Sequence, residues 1–284
     1  MFSRTPPRAQ LLLLAAALVP LGSSTLTAQD GVSRYVRFEV GGQASYGLLQ
    51  GDQLLVIDGD IFGDHQVREE AIPLSAVKLL APVTPSKVIA VGLNYQSHLG
   101  EREPAAYPGL FAKYPTCIVG PDTDIVRPPD SRNLHYEGEL VVVIGKKAKN
   151  VPRETASDYV FGVTAGNDLS ERDWQRDDLQ WLRAKASDTF GPIGPVITRG
   201  LNHNDLLLQT RVNGEVRQSE RTRDLIFDVE EIVSYVSRYV TLLPGDVIFT
   251  GTPGSTTALE PGDVVEVEVE GVGVLRNTVV GGRP

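Results

Sequence analysis

Three carboxylates stand at the ends of segments that the sequence predicts to be buried β-strands. Glu137 and Glu139 precede the apolar run "LVVVIG", and Asp168 follows the apolar run "YVFGVTAG". Side chains at positions i and i+2 of a strand share one face, so Glu137 and Glu139 point the same way. Two like charges on a half-buried face repel, and a bound cation would neutralise them. Oxygen-only ligands favour magnesium, manganese or calcium over zinc.

Each of these carboxylates also has an ordinary structural explanation. Glu137 and Glu139 could lie at an exposed strand end, where two solvated glutamates cost little free energy. Asp168 precedes a predicted helix and could cap its N-terminus, which is a common role for aspartate. From the residue types and spacing alone, a metal site and a purely structural role both remain open.

The strands that must position these residues begin near the N-terminus. Short apolar runs alternate with turn signals over residues 33–80, and this pattern predicts a β-meander that turns at Gly41-Gly42 and at Gly51-Asp52. Pro82 and Pro85 indicate a linker between two parts of the chain. We therefore expect a small N-terminal β domain over residues 33–82 and a larger domain over residues 85–282.

The larger part is predicted to mix strands with helices. "VIAVG", "GELVVVIG" and "PGDVIFTG" predict strands, and the alternating "VVEVEVEGVG" predicts a strand with one face towards water. "LSERDWQRDDLQWLRAK" predicts one amphipathic helix with Leu169, Trp174 and Leu182 towards the core. "FDVEEIVSYVSRYV" predicts a second helix capped by Asp228. The predicted fold class is mixed α+β and rich in strands.

The first thirty residues differ from the rest of the chain. "MFSRTPPRAQ" carries Arg4 and Arg8 and no acid, "LLLLAAALVPL" is continuously apolar, and small polar residues follow. This order is typical of a secretory signal peptide, and the apolar run is too short to cross a bilayer. We expect a signal peptide over residues 1–28, export to a bacterial periplasm, and no membrane association after cleavage. A mitochondrial presequence or a retained N-terminal anchor is the alternative.

Charge and cysteine content exclude two classes of site. The formal net charge is −9, whereas phosphate binding needs a basic face, so we expect no nucleic-acid partner. Cys117 is the single cysteine. An internal disulfide and a cysteine-based zinc site are therefore impossible.

Several segments resemble, in the same order, those of the fumarylacetoacetate hydrolase family over residues 85–282. They are "VIAVGLNYQSHLGE", "HYEGELVVVIG", "GVTAGNDLSERDWQ", "KASDTFGPIGPVI", "RVNGEVRQSERTRDLIF", "LLPGDVIFTGTPG" and "LEPGDVVEVEVEGVGVLRN". The resemblance implies a rolled β-sandwich, usually a homodimer, that cleaves or rearranges β-keto acids at a divalent metal ion. It implies Mg²⁺ as the cofactor, with Mn²⁺ or Ca²⁺ as alternatives.

The resemblance also implies metal ligands and a pair of proton-transfer residues. Glu137, Glu139 and Asp168 match the metal-binding carboxylates of the family. His98 and Glu101, in "HLGE", match the dyad that activates water in its hydrolase and decarboxylase branch. These two residues are three apart, so they would share a face of a helix. The carboxylate would then orient the histidine and make it a better base.

The same resemblance implies contacts to the substrate. Arg172 and Gln175 look like substrate contacts, Lys185 looks like the lysine that pairs with the substrate oxyanion, and Thr252 looks like a contact to the substrate carboxylate. Arg172 and Gln175 could instead be exposed helix residues, and Lys185 a surface lysine. His135 precedes Glu137 by two residues and could support it from behind, or could simply end a strand.

The implied function is hydrolysis of a C–C bond in an acylpyruvate-like β-keto acid, which gives a carboxylic acid and a pyruvate-type enolate. Decarboxylation of an oxaloacetate-type acid and isomerisation of a 2-hydroxyhepta-2,4-diene-1,7-dioate-type acid are alternatives that use the same metal site. A non-catalytic binder of small carboxylates is a third. Two positions depart from the family pattern. Val91 replaces a fourth metal carboxylate, which favours the smaller three-carboxylate enzymes, and Ser255 replaces a glycine of the "GTPG" loop.

Overall fold

The computed structural model of the protein describes residues 31–282, and the predicted signal peptide over residues 1–28 lies outside them. The strands are β1 (Ser33–Val40), β2 (Gln43–Gln50), β3 (Gln53–Gly59), β4 (His65–Pro73), β5 (Lys78–Leu79), β6 (Val88–Gly92), β7 (Gly109–Lys113), β8 (Ile118–Val119), β9 (Ile125–Arg127), β10 (Leu134–His135), β11 (Gly138–Ile144), β12 (Val160–Asn167), β13 (Ser170–Glu171), β14 (Gly191–Arg199), β15 (Leu207–Val212), β16 (Glu215–Arg221), β17 (Val247–Phe249), β18 (Val264–Val269) and β19 (Gly273–Gly281). The α-helices are α1 (Gln96–Leu99), α2 (Arg172–Asp177), α3 (Leu182–Ala186) and α4 (Val229–Tyr239). Within the described range, every helix is too short or too polar to cross a membrane.

Two large sheets carry the fold. The larger sheet has the order β4-β3-β2-β1-β14-β12-β11-β17-β6-β7, with β5 beside β1 and β8 beside β14. The second sheet has the order β16-β15-β18-β19-β9, and β10 pairs with β13. The prediction of a strand-rich, mixed α+β fold of the rolled β-sandwich type with an N-terminal β region is confirmed.

The N-terminal meander forms the strands and turns that its glycines predict. Gly41, Gly42 and Gly51 have φ angles of 58°, 79° and 60°, a left-handed region that glycine enters without strain. Strand β1 pairs with β14, with Ser33 opposite Arg199, so the larger sheet runs through both parts of the chain. The division into domains at residues 82–85 stays a prediction.

Strand β11 lies in the middle of the larger sheet and is buried on both faces. Leu140 and Val142 face the core cluster that contains the apolar side of α4. Val141 and Val143 face the opposite cluster, together with Phe249 of β17. From Leu140 onwards, apolar side chains cover both faces of the strand, which explains the unbroken apolar run after the two glutamates.

The two predicted helices have different outcomes. Helix α4 is confirmed, and Asp228 caps it by accepting the backbone N–H of Glu231 at 2.9 Å. The single helix predicted over residues 169–185 is wrong, because Asp178 is extended and ends α2, and α3 starts afresh four residues later. This break buries Lys185 and leaves Leu182, predicted to be buried, 52% exposed.

The close packing of β11 against β12 and β17 can be tested at Gly166. A Cβ atom at this position would lie 2.4 Å from Val141 Cγ2 and 2.7 Å from Phe249 Cε1. We expect Gly166→Ala to lower the free energy of unfolding by about 1–3 kcal/mol, measured by chemical denaturation, because buried neighbours must shift. Gly63→Ala is the control, since its Cβ would meet Asp60 only at 3.6 Å. Equal effects of the two substitutions would contradict this packing.

Candidate active site

The three predicted metal carboxylates come together at one end of the central strands. Glu137 precedes β11, Glu139 lies on it, and Asp168 follows β12. The two strands pair with Gly138 opposite Asn167, which sets Asp168 beside the glutamates. One oxygen of each carboxylate lies within 4.8 Å of the others, and all three residues are buried. This oxygen-only donor set fits a divalent cation.

Three cationic side chains surround these carboxylates. Lys185 donates hydrogen bonds to Glu137 and, at 2.7 Å, to Asp168 Oδ2. Lys113 of β7 donates to Asp168 Oδ1 at 2.6 Å, and Arg172 donates to Glu137 Oε1 at 2.5 Å.

Lys113 is 2% exposed and was missed by the sequence analysis, because its strand shows no pattern that marks a buried lysine.

The surroundings give the two glutamates opposite proton affinities. Burial alone would raise the pKa of Glu137, but Lys185, Arg172 and His98 outweigh it and lower that pKa below its ordinary value. Burial, reinforced by Asp168 and Glu137, raises the pKa of Glu139 well above its ordinary value. Glu139 is therefore the carboxylate of this pair with the higher affinity for a proton, and a bound cation would compete with that proton.

His98 enters the site, whereas its predicted partner Glu101 does not. His98 lies on α1, its Nδ1 is 2.6 Å from the carbonyl oxygen of Gly254, and its Nε2 is 3.7 Å from Glu137 Oε1. A carbonyl only accepts hydrogen bonds, so Nδ1 carries a proton and Nε2 is the ring nitrogen that faces the carboxylates. Gly100, with φ 69°, follows the end of the helix, and Glu101 is exposed beyond it. Among residues 31–282, His98 and Glu101 share no hydrogen bond or ion pair.

The predicted substrate contacts line a cavity in front of the carboxylates. Its volume is about 510 Å³, and Arg172, Gln175, Lys185 and Thr252 all line it. Gln175 Oε1 accepts a hydrogen bond from Arg172 Nη1 at 2.8 Å, which fixes the pair side by side. Thr252 Oγ1 donates to the carbonyl of Gly138 at 2.9 Å. The cavity is large enough for a small organic acid.

Apolar side chains also line the cavity. Phe111 and Trp181 meet edge to face with ring centroids 5.4 Å apart, and Lys185 Nζ lies 5.1 Å from the centre of the Phe111 ring. Val91, which is buried, and Leu93 belong to this apolar lining. The cavity thus combines charged side chains with apolar ones. This lining suits a short organic acid that carries a carbon chain.

One loop, residues 251–256, touches most of the site. The backbone N–H of Gly251 donates to Glu139 Oε2 at 2.7 Å, the carbonyl of Gly254 holds His98, and Thr256 Oγ1 accepts from Arg172 at 3.0 Å. The residues of this loop with positive φ angles are Gly251, with φ 112°, and Gly254, with φ 60°. Ser255 therefore stands at a position without that strain.

The raised pKa of Glu139 predicts a gain in stability when its charge is removed. We expect Glu139→Gln to raise the free energy of unfolding by about 1 kcal/mol or more at pH 8, in the presence of a chelator. The amide oxygen still accepts the N–H of Gly251, while the buried charge is gone.

The pH dependence of this gain has a definite sign. Because folding raises the pKa of Glu139, the wild type loses stability relative to the variant as the pH rises above 4.5, the ordinary pKa of a glutamate. Below that pH the carboxyl holds its proton in both states, and the two proteins converge. Glu69→Gln, on the exposed part of β4, controls for removing one charge from a chain of net charge −9. A less stable Glu139→Gln variant at pH 8 would contradict the account.

Two family models match the chain. The model described as fumarylacetoacetate (FAA) hydrolase C-terminal matches residues 87–280. The model described as Rv2993c-like, N-terminal, matches residues 33–82. Together they cover nearly all of the described residues, including every side chain placed in the cavity.

Curated relatives resemble the chain over most of its length. A protein of Archaeoglobus fulgidus is 48% identical over 247 residues, which are 86% of this chain and 95% of the relative. The mitochondrial oxaloacetate tautomerase Fahd2a of Rattus norvegicus is 44% identical over 224 residues, which are 74% of this chain and 71% of the relative. These archaeal and mitochondrial relatives contradict the predicted signal peptide and export to a bacterial periplasm. A basic, apolar and small-polar order of residues does not by itself determine a compartment.

Solved structures share the fold and differ in named activity. A 5-carboxymethyl-2-hydroxymuconate delta-isomerase from Mycobacterium smegmatis has a TM-score of 0.83 and 43% identity, and the match covers 88% of this chain and 100% of that chain. Maleylpyruvate hydrolase from Sphingobium sp. SYK-6, in complex with manganese(II) and pyruvate, has a TM-score of 0.74 and 30% identity at the same coverage. The second structure and the buried carboxylates here both support a divalent metal.

Proposed function

The chain belongs to the fumarylacetoacetate hydrolase family, and from this premise we propose that it is a divalent-metal-dependent enzyme that moves a proton within a keto acid. The reaction is a keto–enol tautomerisation or the related double-bond isomerisation. The position of His98 carries this proposal, because its Nε2 faces the carboxylates 3.7 Å from Glu137 Oε1. A tautomerase and an isomerase among the similar proteins support the same reaction class.

The metal ion in this proposal is Mg²⁺, with Mn²⁺ or Ca²⁺ as alternatives. Glu137, Glu139 and Asp168 would hold it, since the three offer oxygen atoms only and these atoms lie within 4.8 Å of one another. When bound, the cation supplies positive charge that draws electrons towards the oxygen atoms of the acid and acidifies the neighbouring C–H.

The side chains around the cavity divide the remaining work. Arg172 and Gln175 bind the carboxylate of the acid, for which the planar guanidinium is suited. Lys185 stabilises the negative charge on the enolate oxygen. Burial would lower the pKa of Lys185, but Asp168 and Glu137 raise it above its ordinary value, so the amine stays charged. His98 takes the proton from carbon and returns it to oxygen, so no atom is gained or lost.

Hydrolysis of an acylpyruvate is the second candidate. It is supported by the likeness to maleylpyruvate hydrolase and by a cavity with room for water beside the acid. His98 would take a proton from water, the water oxygen would bond to the acyl carbon, and the electron pair of the broken C–C bond would pass to the pyruvate-type enolate. Oxaloacetate-type decarboxylation would use the same residues without water attack. The expected homodimer stays a prediction.

Removal of the imidazole tests the proton transfer. We expect His98→Ala to lower kcat for oxaloacetate tautomerisation by about 10²–10⁴-fold, because a positioned base contributes that much. The measurement is the ultraviolet absorbance of the enol over time with Mg²⁺, and added chelator should abolish the wild-type rate. An undiminished rate in His98→Ala would exclude His98 as the base.

A panel of substrates separates the two candidates. Wild-type protein is incubated with oxaloacetate and with acylpyruvates, and the products are identified by NMR. We expect rapid enol–keto exchange and little C–C cleavage, and we expect Glu101→Gln to change the exchange little because Glu101 lies apart from His98. Rapid release of pyruvate that falls in Glu101→Gln would favour hydrolysis by a dyad that assembles on substrate binding.

A further inference from the structure

The guanidinium of Arg172 is held by more than the residues that the proposed function uses. Its Nη2 donates to Glu137 Oε1 at 2.5 Å and to Thr256 Oγ1 at 3.0 Å, and its Nη1 donates to Gln175 Oε1 at 2.8 Å. Glu137 and Gln175 already have roles in the cavity. Thr256 has no role in the proposed function, so its hydrogen bond with Arg172 needs a separate explanation.

The hydrogen bonds behind Thr256 have one consistent direction. An arginine only donates, so Thr256 Oγ1 accepts from Arg172, and the threonine hydroxyl can donate in turn to His135 Nδ1 at 2.8 Å. The neutral ring then carries its proton on Nε2, which donates to Asn133 Oδ1 at 2.8 Å. The side-chain amide nitrogen of Asn133 donates to Asp173 Oδ1 at 3.2 Å. This agrees with the Oδ1 atom of Asn133 being the acceptor for His135.

This series of hydrogen bonds begins and ends at the same residue, Arg172. Arg172 is the first residue of α2, and its backbone N–H donates to the carbonyl of Asn133 at 2.9 Å. The closed circuit of hydrogen bonds thus runs from the Arg172 backbone through Asn133, His135 and Thr256 to the Arg172 side chain. It ties together β10, the loop of residues 251–256 and the start of α2. Satisfied polar networks of this kind fix one side-chain position among many.

We propose that Thr256 and His135 are positioning residues for Arg172 and hold its guanidinium where the carboxylate of the substrate binds. This inference rests on the proposed function of Arg172. Without Thr256, Nη2 would keep Glu137 as its partner and would be drawn towards a carboxylate assigned to the metal. With Thr256, the guanidinium is hydrogen-bonded both to Glu137 and to the loop of residues 251–256, and it lines the cavity.

Two substitutions at Thr256 separate the hydroxyl from the shape of the side chain. Thr256→Val keeps the volume and removes the hydrogen bonds, whereas Thr256→Ser keeps the hydroxyl. For a keto acid we expect Thr256→Val to raise KM about tenfold with a smaller change in kcat, because carboxylate binding is common to the ground state and the transition state. Thr256→Ser should resemble the wild type. Equal damage from both substitutions would overturn the proposal.

A double-mutant cycle tests whether Thr256 acts through Arg172. We expect Thr256→Val to add little to the rise in KM caused by Arg172→Gln, because the group that it positions is already gone. His135→Leu should behave like Thr256→Val, and His135→Asn, which keeps an acceptor near the Nδ1 position, should restore much of the affinity. A full additional loss on the Arg172→Gln background would overturn the proposal.

Two readouts work without turnover and therefore separate this proposal from the proposed function. Calorimetry with oxalate and Mg²⁺ should show about tenfold weaker binding for Thr256→Val than for Thr256→Ser. Nitrogen-15 NMR of the His135 ring should show Nε2 protonated and Nδ1 unprotonated, with Nδ1 shifting in Thr256→Val. If keto acids are not turned over but these results hold, the proposed reaction fails and the positioning stands. A ring protonated on Nδ1 overturns the positioning whatever the reaction is.

Discussion

Three carboxylates buried within 4.8 Å of one another are the constraint on which the rest of the structure depends. Like charges this close at buried positions can persist only if cations or protons neutralise them. Lys113, Lys185 and Arg172 supply that charge, and each comes from a different element. The site therefore cannot form until the larger sheet, α2 and α3 are all in place, and this links the candidate active site to the whole fold.

Irregular segments of the structure satisfy this constraint. The break between α2 and α3 exposes Leu182 but turns Lys185 into the interior, where it contacts Glu137 and Asp168. The loop of residues 251–256 leaves strand geometry after β17, and its backbone N–H and carbonyl groups reach Glu139 and His98. In both places the chain gives up regular structure where a polar group is needed beside the carboxylates. Local irregularity is expected at functional sites for this reason.

The sequence alone predicted what depends on local spacing. The i, i+2 spacing of Glu137 and Glu139 on a strand determines their common face, and Asp228 as a cap correctly marked the start of α4. Lys113 could not be predicted, because its burial results from a contact with Asp168, 55 residues away in the chain. Glu101 was paired with His98 on the assumption of a continuing helix, which Gly100 ends. The predicted periplasmic location was wrong because a basic and apolar N-terminal pattern does not determine a destination.

The most direct test of the central claim is to count divalent ions at the buried carboxylates. Metal-free protein is titrated with Mn²⁺, and the free ion is followed by electron paramagnetic resonance. The account predicts a single bound ion per chain in the wild type, with protons released on binding, and loss of that ion in Asp168→Asn. A wild type that binds no ion, or an Asp168→Asn variant that binds it as tightly as the wild type, would contradict the account.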